Sequence, residues 1–505
     1  MQQLPQKSES YWLKTLALPN FPKLEKNEDV DIAVVGGGIT GVTASFLLAK
    51  EGFRVALLET NSLLKGTTGH TTAKVTAQHG LIYDELIQNI GLEKAQLYYE
   101  ANQRALDFIK SLVNEFHIDC DFSIEDAYIY AEDEKSLPIL EKEYEAYDKI
   151  GIKGKLVSET PLPFKVKSAL VMDRQFQFHP LKYLQKLVEE LQRLGVKIYE
   201  NTTALEVELN GRPKVLTKEG FSVTSDFVLS CSHFPFHDKG FYFARMYPER
   251  SYVVASLVEN PVIKGMYISA EDPVRSLRFT PYNGEHLLLI GGDHHKTGQG
   301  VSTEQHYENL KQFTEHTFKV KSFPFRWSAQ DFTTLDKLPY IGHITSKENR
   351  LLVATGYRKW GMTSGTLAGL LFKDLIMGQE NPYRDIFTPS RFESFQTVKQ
   401  FFQTNLDVAK HFIQGKMEKP SKTIEDLKPE EGAIVDVDGE KRGAYRDANG
   451  KVYMVEPTCT HLGCEVEWNA AERTWDCPCH GSRFHYKGDV LEGPAEKPLK
   501  RISET

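Results

Sequence analysis

The stretch Val30–Glu59 limits the possible folds more than any other part of the chain. An apolar run, Ile32-Ala33-Val34-Val35, leads into Gly36, Gly38 and Gly41 at G-x-G-x-x-G spacing. The helical pattern Val42–Lys50 comes next, and then a second apolar run, Val55–Leu58, that ends on Glu59. An apolar run bounded in this way reads as a buried parallel strand. At the strand-to-helix turn the glycines have separate tasks: a tight turn, close approach of backbone to a pyrophosphate, and close packing of helix on strand. The pyrophosphate would rest on the helix N-terminus, over Ile39 and Thr40. Glu59 lies 23 residues after Gly36, where an acid can hold ribose hydroxyls. The glycine spacing alone is a weak signal. Strand, glycines, helix, strand and acid in register point to an α/β dinucleotide-binding domain.

At 505 residues the chain has room for two or three domains. A net charge of −8 argues against a general nucleic-acid binder. No run of 18 apolar residues is present, so no membrane-spanning helix is expected. Met1–Ser10 is polar and lacks an apolar signal core, which makes a cytoplasmic location the expectation. Six cysteines are too few for a disulfide framework, yet four of them crowd into Cys459–Cys479.

Residues 1–28 read as a polar lead-in in which Ser10-Tyr11-Trp12 packs on the next domain. After Glu59, Gly66-Thr67-Thr68-Gly69-His70-Thr71 is rich in small and hydroxyl residues, as suits backbone lying beside a cofactor. Helical patterns cover 82–116, 134–150 and 181–194. From Ser251 to Gly292 the rhythm changes to alternating strand segments, the signature of an antiparallel sheet forming a substrate-side floor. A late strand, Leu351–Thr355, enters a second glycine-rich turn, Gly356 to Gly365, and a helix to Ile376.

With Asp336-x-Leu338-Pro339-x-Ile341-Gly342 and Gly356–Gly365 joined to the first turn, residues 10–380 resemble the D-amino-acid-oxidase-like flavoproteins. The resemblance implies FAD, a six-stranded parallel-type sheet, an antiparallel substrate domain, and oxidation of a C–N bond in an amine or amino acid. It also implies FAD contacts from Thr67, Thr71, Gly356, Gly361, Met362 and Thr363, and a backbone contact from Ala204 to the adenine. In some members a histidine of a G-S-T-W-H segment is bonded covalently to the flavin. Gly69 stands at the tryptophan position here, and His70 is expected beside the flavin without that bond. Arg358, in the returning turn, could clamp a substrate carboxylate, or equally bind the flavin or a phosphate. His294, Tyr252 and Tyr282 are candidates to line the substrate cavity. Arg275, Arg278 and Lys359 read as surface residues, and Cys120 and Cys231 as inert core thiols.

The tail carries Cys459-Thr460-His461 and Cys477-Pro478-Cys479-His480. Two thiolates and two imidazoles can hold a structural zinc or a Rieske [2Fe–2S] centre. Ligands one residue apart, as in C-x-H, are unusual for zinc, whose paired cysteines are spaced by about two to four residues. Residues 423–505 resemble the Rieske domains. That likeness makes Cys459, His461, Cys477 and His480 the ligands, pairs Cys464 with Cys479 in a disulfide, and makes Gly493-Pro494-Ala495 the loop over the cluster. Ser482 matches a hydrogen-bond donor of the respiratory type, whereas Phe484 stands where that type has a tyrosine.

The sequence therefore divides into the lead-in 1–28, an FAD-binding and substrate domain 29–380, a linker 381–422 with an amphipathic helix Arg391–Lys416, and a small all-β Rieske domain 423–505. The combination resembles bacterial FAD-dependent oxidoreductases with a C-terminal Rieske domain. It implies a dehydrogenase in which an amine substrate reduces FAD, FAD reduces the cluster, and an external acceptor drains the cluster. The alternative is a redox sensor without amine turnover. A Rieske oxygenase would need a mononuclear iron site, for which Asp293-His294-His295 is a weak candidate. A reductase fed by NADH would need a second dinucleotide turn, which Gly291-Gly292 and Gly298–Gly300 do not supply.

Overall fold

The computed structural model describes residues 2–391 and 420–504. Apart from Arg391, the expected linker helix lies outside the described residues. Ile32–Val35 and Val55–Leu58 are buried throughout, as strands covered on both faces must be. They sit in a six-stranded sheet with the order Tyr340–Thr345, Glu348–Thr355, Phe227–Ser230, Ile32–Val35, Val55–Leu58, Lys197–Tyr199. Five strands run parallel, and the edge strand Tyr340–Thr345 is antiparallel to its neighbour, so the expected parallel sheet has one reversed edge.

Helices Ile39–Lys50 and Gly361–Ile376 pack against each other on this sheet. A Cβ at Gly365 would come within 2.9 Å of Ile39 and Thr40, and one at Gly369 within 2.9 Å of Thr43. The glycines let both helix N-termini meet at the same end of the sheet. The patterned regions 82–116 and 134–150 form helices Tyr83–Ile90, Leu92–Glu115 and Leu137–Ile150, the first two separated at Gly91.

The expected floor is a nine-stranded sheet that includes Val320–Thr334, Met246–Val258, Glu285–Lys296 and Arg275–Tyr282 in that order, each antiparallel to its neighbour. The lead-in packs onto the flavin domain as expected. Trp12 is fully buried and its Nε1 donates to the Thr71 carbonyl at 2.7 Å.

The C-terminal region is all-β, with two four-stranded antiparallel sheets. It sits on the strand Val320–Thr334 of the floor sheet and on the helix Thr303–Thr317 that packs against that sheet. Ala471 N–H donates to Thr303 Oγ1 at 3.1 Å, and Glu472 accepts from the Tyr307 and Ser328 hydroxyls at 2.9 and 2.7 Å. Burial pushes Glu472 upward, but Arg250 and Arg483 outweigh it and hold the carboxyl below its ordinary range. Asp476 is buried and held down in the same way, by Arg483 and then Arg250. Buried charges persist only when paired, so this contact is built for a defined docking position. Among the described residues no helix is long and apolar enough to cross a membrane.

Candidate functional site

A cavity of about 1010 Å³ opens where the two helix N-termini converge. Gly36, Gly38, Ile39, Thr40, Glu59, Thr67, His70, Thr71, Ala204, Gly361 and Met362 all line it. The glycine tasks separate cleanly. Gly36 has φ +108°, and a Cβ there would lie 2.4 Å from the Cys231 carbonyl oxygen; one at Gly41 would lie 2.0 Å from the Gly36 carbonyl oxygen. At Gly38 the one neighbour is Thr68 Oγ1, at 3.0 Å, on the cavity wall. Gly38 is therefore the position whose side chain would fill the cradle.

Thr68, which sequence reasoning did not single out, accepts from Ile39 N–H at 3.1 Å and so occupies one donor of the helix start. The Glu59 carboxylate accepts from the backbone N–H groups of Gly37 and Asn61 at 2.8 and 3.0 Å, and burial pushes its pKa up. A Cβ at Gly69 would come 2.6 Å from the Leu64 carbonyl oxygen, so no tryptophan fits there. The His70 ring is held by its Nδ1 against the Gly66 carbonyl at 2.8 Å, and burial lowers its pKa.

Three expected cofactor contacts do not reach the cavity. Gly41 is packed against Gly36. Gly356, at φ +77°, packs against Thr334. Thr363 is buried in the core, where its hydroxyl pairs with His79 Nε2 at 3.0 Å.

The substrate candidates fare unequally. Arg358 lines the cavity, and its Nη2 donates to the His79 carbonyl at 2.8 Å. His294 also lines it, with Nε2 at 3.8 Å from Glu249. Tyr252 has wall contact, but its hydroxyl pairs with His295 at 2.9 Å and its ring stacks on His306, so the hydroxyl is committed away from a substrate. Tyr282 packs on Tyr11 and Phe325 instead.

Lys359 is exposed and Cys231 is buried in the core, as expected, and both border the cavity. The surface reading is corrected for Arg278, which is buried with Nη1 on the Thr72 and Ala73 carbonyls, and for Arg275. Arg275 pairs with Asp293 at 2.8 Å. Asp293 also takes His306, and His295 takes Tyr252, so Asp293-His294-His295 does not converge as a metal site.

The wall adds Lys74, Glu249 and Asp331 to the sequence-derived set. Lys74 donates to the Tyr267 carbonyl at 2.8 Å and to the Ser276 hydroxyl; burial, then Arg278, lowers its pKa to about 7. Burial pushes Glu249 up, but Lys359, the Thr333 hydroxyl and His294 together hold it below the ordinary range.

In the C-terminal domain two loops bring the predicted ligands together. Each loop closes on itself: Gly463 N–H bonds the Cys459 carbonyl at 2.9 Å, and Gly481 N–H bonds the Cys477 carbonyl at 3.1 Å. The Cys459 and Cys477 thiols meet in a hydrogen bond that lowers Cys459 to about 7 and raises Cys477. The His461 and His480 rings lie 5.0 Å apart at 89°. The Nδ1 atoms of both rings are buried and, among the described residues, without a partner. Buried unpaired polar atoms are costly, and two thiols with two such nitrogens are the donor set a Rieske cluster takes. Cys464 and Cys479 form a disulfide with a Cα–Cα distance of 6.6 Å, so their sulfurs, although within 4.8 Å of Cys477, are not ligands. The Ser482 hydroxyl bonds Cys459 and also accepts from Ala495 N–H at 3.0 Å, which ties the Gly493-Pro494-Ala495 loop to the site.

Comparison with known proteins agrees with both halves. Residues 31–375 match the family described as FAD dependent oxidoreductase (DAO), and residues 419–503 match the Rieske [2Fe-2S] domain. The chain belongs to the DAO family. It carries a C-terminal Rieske domain, and with these two units come sites for FAD and for a [2Fe–2S] cluster. A Bacillus subtilis (strain 168) protein named as a Rieske 2Fe-2S iron-sulfur protein, YhfW, is 51% identical, covering 98% of this chain and 97% of its own. The γ-glutamylputrescine oxidoreductase of Escherichia coli (strain K12) is 23% identical, covering 75% and 89%. The glycine oxidase of Geobacillus kaustophilus has the same fold over 73% of this chain and 100% of its own, with a TM-score of 0.62 at 21% identity.

The cluster site can be probed through its staple and its apolar surround. Replacing Cys464 and Cys479 together by Ser unlinks the loops. A disulfide in a small domain contributes about 2–5 kcal/mol, so the double variant should lose its cluster absorbance sooner on warming. An unchanged cluster lifetime would count against the staple. Phe484 is fully buried in the apolar cluster that holds the four clustered cysteines. Phe484→Tyr should raise the reduction potential by adding a donor toward a cysteine sulfur; a flat or lower potential in voltammetry would show that the hydroxyl points elsewhere.

Proposed function

We propose that this protein oxidises a C–N bond of an amine or amino acid and passes the electrons singly to an external acceptor. Bound FAD supplies two-electron acceptance and the cluster supplies one-electron carriage. The observation that carries the reading is a shared wall. His461 and the loop Glu492–Glu496 of the Rieske domain line the same cavity as Gly36, Gly38 and Glu59. Phe243, from the flavin domain, stands edge-on to both ligand imidazoles, with ring centroids 5.3 and 5.2 Å away. The two imidazoles that would hold the cluster thus face the flavin domain.

On the substrate side, Arg358 and Lys359 would hold a carboxylate, and Glu249, kept ionised, would hold an ammonium group. Glycine oxidase and γ-glutamylputrescine oxidoreductase bear names that favour this substrate class for the shared fold. Anaerobic mixing with a panel of secondary amines and amino acids tests the reading. Flavin bleaching should come first and cluster reduction second. A panel that bleaches nothing, or a cluster that stays oxidised while the flavin bleaches, would refute it.

A further inference from the structure

Toward its end the strand Val320–Thr334 runs between part of the cavity and the C-terminal domain. Side chains alternate between faces along a strand. Ala329, Asp331 and Thr333 line the flavin cavity, while Ser328 and Gln330 reach the C-terminal domain. Gln330 is 1% exposed, and every polar atom of its side chain has a partner across or beside the domain junction. Its Nε2 donates to the Gly481 carbonyl at 2.9 Å, and its Oε1 accepts from Thr297 Oγ1 at 2.7 Å. Its own carbonyl accepts from His233 Nε2 at 3.0 Å and Thr67 Oγ1 at 3.4 Å, both from cavity-lining residues.

Gly481 directly succeeds His480, and its N–H bonds the carbonyl of Cys477. A Cβ at Gly481, whose φ is +77°, would lie 2.5 Å from Pro248 and 3.1 Å from Gln330 Nε2. The flavin domain therefore presses on the peptide beside one cluster ligand, where Gln330 donates; Gln299 Nε2 donates a second bond into the same loop, to the Pro478 carbonyl at 3.1 Å.

Resting on the functional reading above, we infer that Gln330 is a positioning residue for electron transfer between flavin and cluster, the buried one of the two glutamines that hold the Cys477–Ser482 loop. With FAD and the cluster bound, the step it serves would move one electron from two-electron-reduced flavin to the diferric cluster, leaving the cluster ferrous–ferric. An external one-electron acceptor then takes that electron from the cluster. A second transfer restores oxidised flavin, and the flavin proton goes to solvent. Thr297 orients the Gln330 amide so that its N–H₂ meets Gly481.

The test needs no amine. In holoprotein carrying FAD and cluster, a light flash with a sacrificial donor reduces the flavin, and absorbance tracks the flavin and the cluster separately. Gln330→Met keeps the volume and removes both side-chain bonds. It should slow cluster reduction about tenfold, equivalent to about 1.4 kcal/mol, with flavin content, iron content and flavin photoreduction unchanged. Thr297→Val should slow it less. Amide exchange in Cys477–Ser482 should quicken in Gln330→Met, a readout independent of turnover. Native-rate transfer in both variants would overturn the role of Gln330 alone. A native protein in which photoreduced flavin never reduces the cluster would overturn the functional reading and this inference together.

Discussion

His461→Ala is expected to yield a protein that retains FAD and assembles no stable cluster. The His461 ring supplies one of two buried Nδ1 atoms without a partner among the described residues, and alanine leaves three ligands where a [2Fe–2S] centre needs four. The loop itself should survive, because it is closed by backbone bonds and by the Cys464–Cys479 disulfide. Substrate that bleaches the native flavin should still bleach it once, since the cavity groups Arg358, Lys359 and Glu249 are untouched. Steady-state reduction of a one-electron acceptor should fall by more than the 10–100-fold typical of losing an outer-shell partner, roughly a thousandfold. Iron and sulfide analysis, one anaerobic bleaching trace and one acceptor assay decide it. A variant that turns over the acceptor at the native rate would place the cluster off the path.

The second large effect separates two glycines three residues apart. Gly38→Val should fold and bind no FAD. Its new side chain meets one cavity-wall hydroxyl and otherwise occupies the cradle. Gly41→Val should fail earlier. Its Cβ would sit 2.0 Å from a backbone oxygen that has no rotamer to escape through, so the cost lies at or above the top of the about 1–3 kcal/mol range for overpacking. Circular dichroism and flavin fluorescence on both proteins check the contrast. Flavin retained by folded Gly38→Val would remove Gly38 from the phosphate cradle, and a native-like melting temperature for Gly41→Val would refute the packing role.

What could be read from the sequence was chemistry carried by near neighbours. The cluster ligands lie at fixed short spacings, so Cys459, His461, Cys477 and His480 stood out without a fold. The first glycine turn was legible because strand, turn and helix are consecutive. Gly356 and Thr363 misled for the converse reason. They lie in the returning turn, but Gly356 packs against Thr334 and the Thr363 hydroxyl pairs with His79, both set by the fold and not by the local sequence. Lys74, Glu249 and Asp331 carried no local pattern, because each is one polar residue in a strand whose cavity face depends on register across the nine-stranded sheet. Arg278 looked like a surface cation because nothing nearby announces the carbonyls of Thr72 and Ala73 that hold it. The residues that join the domains were the least legible. Gln330 and Gly481 are 151 positions apart, and Phe243 lies further still from His461.

The wall shared by the two domains has a consequence for how the protein is made. The first strand to touch the cavity ends at Val35, and the last residue to line it is Pro498. A ribosome therefore delivers the opening half of this pocket almost a full chain length before the closing half. The cavity therefore reaches its finished shape only when the C-terminal domain has folded and seated against the first.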